Sequence, residues 1–268
     1  MIVMKQRTWQ RKEKLDVYQT VQGHPVFCEV RHAEANATPA VFVHGAGGSH
    51  QIWRHQFDLL KDRPAYFVDL PGHGQSGGQA LTSVKEMADW LSEWLKQAVG
   101  EKPVILVGHS MGGAIAQWMA LHYPQQIKAI ILVTTGSRLK VNPQFLQDLE
   151  QGIYDPSSMR RSFSPHTDAE LIEAEIERRK GNISVEVIRN DYLACNAFDL
   201  RNDIHQISCP ALIIAGEDDQ STPPFYSTYM AEQIPGAQLV ILPKAGHYVM
   251  LEQTDRFNQE LLSFINRY

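Results

Sequence analysis

One pentapeptide, Gly108-His109-Ser110-Met111-Gly112, restricts this chain more than any other stretch, because of what flanks it. Before it runs Pro103-Val104-Ile105-Leu106-Val107, short, apolar and β-branched, which reads as a buried strand. After it runs Gly113-Ala114-Ile115-Ala116-Gln117-Trp118-Met119-Ala120, which reads as a helix. A Gly-x-Ser-x-Gly that joins a strand to a helix is a sharp, strained elbow that lifts the serine hydroxyl out of the top of a sheet. Small residues at Gly108 and Gly112 leave room there for neighbouring backbone. Glycine and serine are common, so the bare pattern says little; the strand-turn-helix setting gives it content.

The rest of the chain supplies the sheet. Apolar runs at Ala40 to Val43 and Tyr66 to Leu70 flank a helical pattern near Ile52 to Leu60. A capping box, Ser83-x-x-Glu86, opens a helix whose apolar positions Val84, Met87, Ala88, Leu91, Trp94, Leu95 and Ala98 recur at helical spacing until Gly100. Another buried strand spans Ile127 to Val133. Strands that are apolar throughout, alternating with helices, predict an α/β fold: a mostly parallel central sheet with helices on both faces. The alternation breaks after Thr134 and resumes at Ala211 to Ala215. In between, Thr167-x-x-Glu170 opens a helix closed by Arg178, Arg179 and Lys180, charges suited to its dipole, with Gly181 beyond. Ser184 to Ala197 reads as a second helix. The expected organisation is a core in two parts, residues 1–136 and 203–268, with a helical cap insertion at 137–202. The second part holds strand Leu212 to Ala215, a helix begun by Pro223-Pro224, strand Gln238 to Leu242, and an amphipathic helix through Phe257, Leu261, Phe264 and Ile265.

Bulk properties exclude several classes. At 268 residues, one domain with an insertion is the simplest reading. A formal net charge of −5 argues against a nucleic-acid partner. Cys28, Cys195 and Cys209 show no C-x-x-C spacing and suit a reducing compartment. Met1 to Asp16 carries Lys5, Arg7, Arg11, Lys12 and Lys14 with no apolar segment behind them, so it is read as a solvated tail, not a secretory signal. No apolar run approaches the roughly 18 residues of a membrane span. The expected location is cytoplasmic, without membrane insertion, as a monomer or small homo-oligomer. No Cys/His/Asp cluster has metal spacing, and the glycine loop lacks the Gly-Lys-Ser/Thr of a phosphate loop, so neither metal nor cofactor is expected.

A serine hydroxyl needs a base to take its proton and a group to orient that base. In parallel α/β sheets the working groups sit at the carboxyl ends of strands. Strand Leu212 to Ala215 ends in Gly216-Glu217-Asp218-Asp219-Gln220, and strand Gln238 to Leu242 runs into Pro243-Lys244-Ala245-Gly246-His247. An acid and a histidine therefore each follow a late strand, in the order Ser, Asp, His.

With His44-Gly45-Ala46-Gly47-Gly48 and Asp69-Leu70-Pro71-Gly72-His73-Gly74-Gln75-Ser76 added, the chain resembles the α/β-hydrolase fold superfamily over nearly its whole length, as a serine carboxylesterase-like member. The resemblance implies Ser110 as nucleophile, His247 as general base, and Asp219 as the acid that orients it. Asp218 is the alternative acid, set aside because the family places the acid three residues beyond the glycine; Glu217 is read as solvated or structural. An oxyanion hole would use the backbone N–H groups of Met111, at a helix N-terminus, and of Ala46, in a loop where Gly45, Gly47 and Gly48 allow close approach.

Other residues have plainer readings. His44 holds the oxyanion loop, His109 packs beneath the elbow, and His73 and Ser76 stabilise the turn after a structural Asp69. Trp90, Trp94 and Trp118 read as core packing. Phe145, Leu146, Ile153, Met159, Phe163, Tyr192 and Leu193 either line a pocket or form the cap's own core. The expected substrate-binding set is Gly45, Gly47, Phe145, Met159, Phe163, Tyr192 and Tyr248. The resulting expectation is an enzyme that cleaves small-molecule carboxylic esters of small to medium acyl chain through an acyl-enzyme. C–C bond hydrolase, enol-lactonase, thioesterase and perhydrolase are alternatives within the superfamily. A ligand receptor that retains the triad is the alternative from another class.

Overall fold

The computed structural model describes residues 14–180 and 184–268. The basic run at 5–12 and Gly181 lie outside the described residues. Among the described residues eight strands form one sheet: β1 Lys14–Val21, β2 His24–Arg31, β3 Ala40–Val43, β4 Ala65–Val68, β5 Val104–His109, β6 Ile127–Val133, β7 Ala211–Gly216 and β8 Gln238–Leu242. Their order is β1-β2-β4-β3-β5-β6-β7-β8. Strands β1 and β2 form an antiparallel hairpin, and β2 joins β4 antiparallel; every later pairing is parallel.

Eight helices are described: α1 Val84–Ala98, α2 Met111–His122, α3 Pro143–Glu150, α4 Ala169–Arg179, α5 Val185–Ala197, α6 Pro224–Gln233, α7 Val249–Glu252 and α8 Thr254–Ile265. Alternate strand residues feed two separate cores, the arrangement that continuous apolar strands require. Val41, Leu106, Ile130 and Ile213 pack with α1 and α2 on one face. Phe42, Val107, Ile131 and Ile214 pack with Trp53 and α8 on the other. Trp90 and Trp94 are buried in the first core, and Trp118 packs against its edge. No helix among the described residues is long and apolar enough to cross a membrane.

Some local expectations are revised. The pattern at Ile52 to Leu60 yields only a 3₁₀ helix, His50–Trp53, followed by turns. The reason is tertiary: Asp69 takes both the His50 amide (2.6 Å) and its Nδ1 (2.8 Å), which fixes this segment's entry. At α4 the cap is Asp168, whose side chain accepts from the Glu170 amide; the Thr167 hydroxyl donates to Glu252 Oε2 instead. The capping box of α1 forms, and its Glu86 carboxylate also reaches Thr82. Ser83 Oγ accepts from the Glu86 amide, while Glu86 accepts from the Thr82 amide and hydroxyl.

The excursion between β6 and β7 carries α3, α4 and α5 and is gathered at a neck. Arg138 and Asp199 form a lone antiparallel bridge, and the Leu200 amide donates to the Ser137 carbonyl at 2.7 Å.

Candidate active site

The elbow is built by crowding. A Cβ on Gly108 would sit on the Gly112 carbonyl, and one on Gly112 would sit on the carbonyl of Val43. Backbone packed this closely leaves Ser110 at φ 53°, ψ −114°, in the positive-φ range that non-glycine residues rarely adopt. The strain is held from both sides. The Ser110 amide donates to Val133 on β6 (2.9 Å), and its carbonyl accepts from Thr135 Oγ1 (2.7 Å). Met111, fully buried, opens α2 directly after it.

His247 and Asp219 come together from the loops after β8 and β7. His247 Nδ1 lies 2.8 Å from Asp219 Oδ2, and a carboxylate only accepts, so Nδ1 carries the proton. Both residues are buried. Asp219 is fixed by three further donors: the Ser221 and Thr222 amides and the Thr222 hydroxyl. Asp218 faces elsewhere and accepts from Ser164 Oγ at 2.6 Å. Glu217 is exposed. His247's own carbonyl accepts from Thr134 Oγ1 (2.8 Å) and from His109 Nε2 (3.1 Å).

Glu252 on α7 clamps this loop, a role the sequence reading did not anticipate. Its carboxylate accepts from the amides of Gly246 (3.0 Å) and Tyr248 (2.9 Å), the two neighbours of His247. It also takes the Ser164 amide and the Thr167 hydroxyl from the excursion.

Ser110 and His247 line one cavity of about 870 Å³. Gly45, Ala46, Phe145, Met159, Tyr192 and Tyr248 line it too. Gly47 lines an adjoining cavity of about 230 Å³ that shares Gly48, Ile52, Met159, Arg179 and Tyr248 with the first. Phe163 is not on either wall: it is buried against the Tyr248 ring, 4.7 Å between centroids. Ile153 lines the large cavity while largely exposed, and Leu193 faces solvent.

The other histidines are structural in their contacts. His44 Nδ1 donates to the Gly45 carbonyl (2.9 Å), and its Nε2 accepts from the Leu70 amide (3.2 Å). Burial, with cationic His73 beside it, lowers its pKa to about 4, so it stays neutral. Burial likewise pushes His109 well below the ordinary histidine value. His73 differs. Its Nδ1 faces the Pro71 carbonyl, and its Nε2 lies 2.8 Å from Asp191 Oδ2 on α5, so it reaches into the excursion as well as bracing the turn. The Gly47 amide donates to the same Asp191 oxygen at 2.7 Å. Burial alone would lower the His73 pKa; the Asp191 charge and hydrogen bond overcome it and hold the value above the ordinary one. Ser76 accepts from the Phe27 amide and donates to the Asp69 carbonyl, as a turn brace.

Among the described residues no three His, Cys, Asp or Glu side chains cluster as a metal cage requires. All three cysteines are free thiols.

A mostly parallel sheet with a strained serine elbow and a buried His-Asp pair beside one cavity defines the class. The chain belongs to the alpha/beta hydrolase family, whose model matches residues 40–260. A thermophilic esterase of known structure is 33% identical, with a TM-score of 0.80, covering 95% of this chain and 98% of that one. The dihydrolipoyllysine-residue acetyltransferase component of the acetoin cleaving system from Pseudomonas putida is 29% identical over 86% of this chain. The chain spans only 64% of that relative's length. A putative carbamate hydrolase, RutD, from Caulobacter sp. (strain K31) is 27% identical over 92% of this chain and 97% of its own.

Proposed function

We propose that this hydrolase-family chain cleaves carboxylic esters of small to medium acyl chain through a Ser110-His247-Asp219 triad. The observation that carries the reading is that His247, paired with buried Asp219, lines the same cavity as strained Ser110. The 33% identical esterase supports the reaction class.

In this mechanism His247 Nε2 takes the Ser110 proton as Oγ attacks the ester carbonyl. The negative oxygen of the tetrahedral intermediate is held by the amides of Ala46 and Met111, the latter backed by the positive end of α2. His247 passes its proton to the departing alcohol, leaving an acyl-enzyme. The same histidine then activates water, which releases the acid and restores Ser110. Asp219 keeps Nδ1 protonated and stabilises the imidazolium that forms twice per cycle. In this reading residues 137–202 act as a cap whose α3 and α5 supply Phe145 and Tyr192 to the acyl or alcohol pocket.

The test is steady-state hydrolysis of p-nitrophenyl esters from acetate to palmitate, with Ser110→Ala alongside. The expected result is multiple turnover with a chain-length optimum, lost on the order of 10⁶-fold in the variant. A folded wild-type protein that turns over none of the series, or a variant that keeps most of the activity, overturns the assignment.

A further inference from the structure

Arg179 touches none of the reacting atoms in ester cleavage as derived above, and its setting is unlike that of its neighbours. At the end of α4, Lys180 pairs with Glu177 at the surface, and Arg178 pairs with buried Glu175 on the wall of the side cavity. Arg179 instead turns inward, to the wall shared by the large cavity and its side cavity. Its Nη2 donates to the Ala46 carbonyl at 2.8 Å, and its guanidinium carbon stands 6.0 Å from the Tyr154 ring centroid. Tyr192 and Tyr248 complete an aromatic surround.

Among the described residues no carboxylate pairs with Arg179, and its Nε is buried without a hydrogen-bond partner. The two buried acids of α4 and α5 are engaged elsewhere. Glu175 binds Arg54 (2.6 Å) and Arg178 (3.4 Å), while Asp191 binds His73 and the Gly47 amide. A cation held deep in an aromatic wall without a counter-charge is costly unless a ligand brings one. The rim repeats the bias. Lys140, Arg160, Arg161 and Arg179 line this cavity with Asp148 and Asp155; Arg160 is paired with Glu173, which leaves three cations against two acids in a chain whose net charge is −5. The local field thus opposes the overall one and favours an anion entering this cleft.

We propose that Arg179 anchors a carboxylate of the substrate, so that the cavity takes esters carrying a free carboxylate in the acyl or alcohol half, such as monoesters of short dicarboxylic acids. The inference rests on the ester reading above. A planar guanidinium matches a carboxylate, and a single deep cation balances a single negative charge.

Two substrate pairs followed by pH-stat titration test it: methyl hydrogen glutarate against methyl butyrate, and 4-acetoxybutanoate against butyl acetate. The wild-type protein is expected to favour the anionic member of at least one pair by about ten- to a hundredfold in kcat/KM, the worth of one charge-assisted contact. Arg179→Gln should bring that ratio close to one, and Arg179→Lys should restore part of it. The ratio is the readout because Arg179 also holds the Ala46 carbonyl, so absolute rates fall for both members. Wild-type ratios near one in both pairs overturn the proposal and leave the ester reading standing. If no ester is cleaved, the ester reading fails and the anion site is tested alone, by melting temperature in glutarate and in inorganic phosphate. A rise with glutarate that Arg179→Gln abolishes supports the site. No rise, or a rise with phosphate only, overturns it.

Discussion

His73 Nε2 meets Asp191 Oδ2 at 2.8 Å, both side chains fully buried, and this contact joins the turn after β4 to helix α5. The same Asp191 oxygen holds the Gly47 amide, so one carboxylate sets the position of both the glycine loop and the excursion relative to the sheet.

That pair predicts a pH dependence of stability. The folded His73 pKa lies above its unfolded value of about 6.5, so its stabilisation is fully present below that value and is lost as pH rises through the folded pKa. His44, beside it and lowered to about 4, stays neutral across this window. Asp191→Asn removes the charge that keeps His73 protonated. Melting temperatures of wild type and variant should therefore differ most near pH 6 and converge toward pH 9. A gap that stays constant across that range contradicts the linkage.

The Glu252 carboxylate predicts a coupling between fold and rate. It accepts four hydrogen bonds around His247, so Glu252→Gln turns one acceptor oxygen into a donor facing other donors. The expected stability loss is about 1–3 kcal/mol, the cost of an unmet buried group. The expected rate change lies mainly in kcat, because Gly246 and Tyr248 set where the imidazole stands. An unchanged kcat in a stably folded variant would show that the loop keeps its shape without this clamp.

Glycine substitutions separate crowding from backbone strain. Gly108→Ala drives a methyl group into the backbone of Gly112, which belongs to α2 and cannot yield cheaply. A loss of about 3 kcal/mol or more is expected, a fall of roughly 6–12 °C in melting temperature. Gly236, at φ 72° with nothing near its virtual Cβ, should lose only about 1–2 kcal/mol on the change to Ala. Equal losses at the two positions would mean that the elbow is not tightly packed.

Much of this architecture was legible because its signals are local. The elbow is a short-range demand: glycines at 108 and 112 and a strand-to-helix switch suffice to place it. Hairpin β1–β2 was not legible. Within β2, Glu29 and Arg31 are buried as an ion pair, so two inward-facing residues read as surface charges. Arg179 was hidden for a related reason: Arg178, Arg179 and Lys180 look alike as charges that suit a helix end, and only packing against Tyr154 and Ala46 distinguishes the middle one. Asp191 gave no signal either, since its partners His73 and Gly47 lie more than a hundred residues away.

The adjacent acids Asp218 and Asp219 offer the most direct check on the proposed catalytic chemistry. Only Asp219 reaches His247 Nδ1; Asp218 is satisfied by the Ser164 hydroxyl. Asp219→Asn keeps the shape but presents an amide that can donate to the ring, which favours the tautomer with its proton on Nε2. That nitrogen is the one required to accept from Ser110, so kcat should fall on the order of 10⁴-fold with little change in folding. Asp218→Asn retains an acceptor for Ser164 and leaves His247 untouched, so kcat should stay within about threefold, as for changes that break no transition-state contact. Comparable losses in the two variants would detach the imidazole from Asp219 and remove the triad as drawn; a loss confined to Asp218→Asn would reassign the acid.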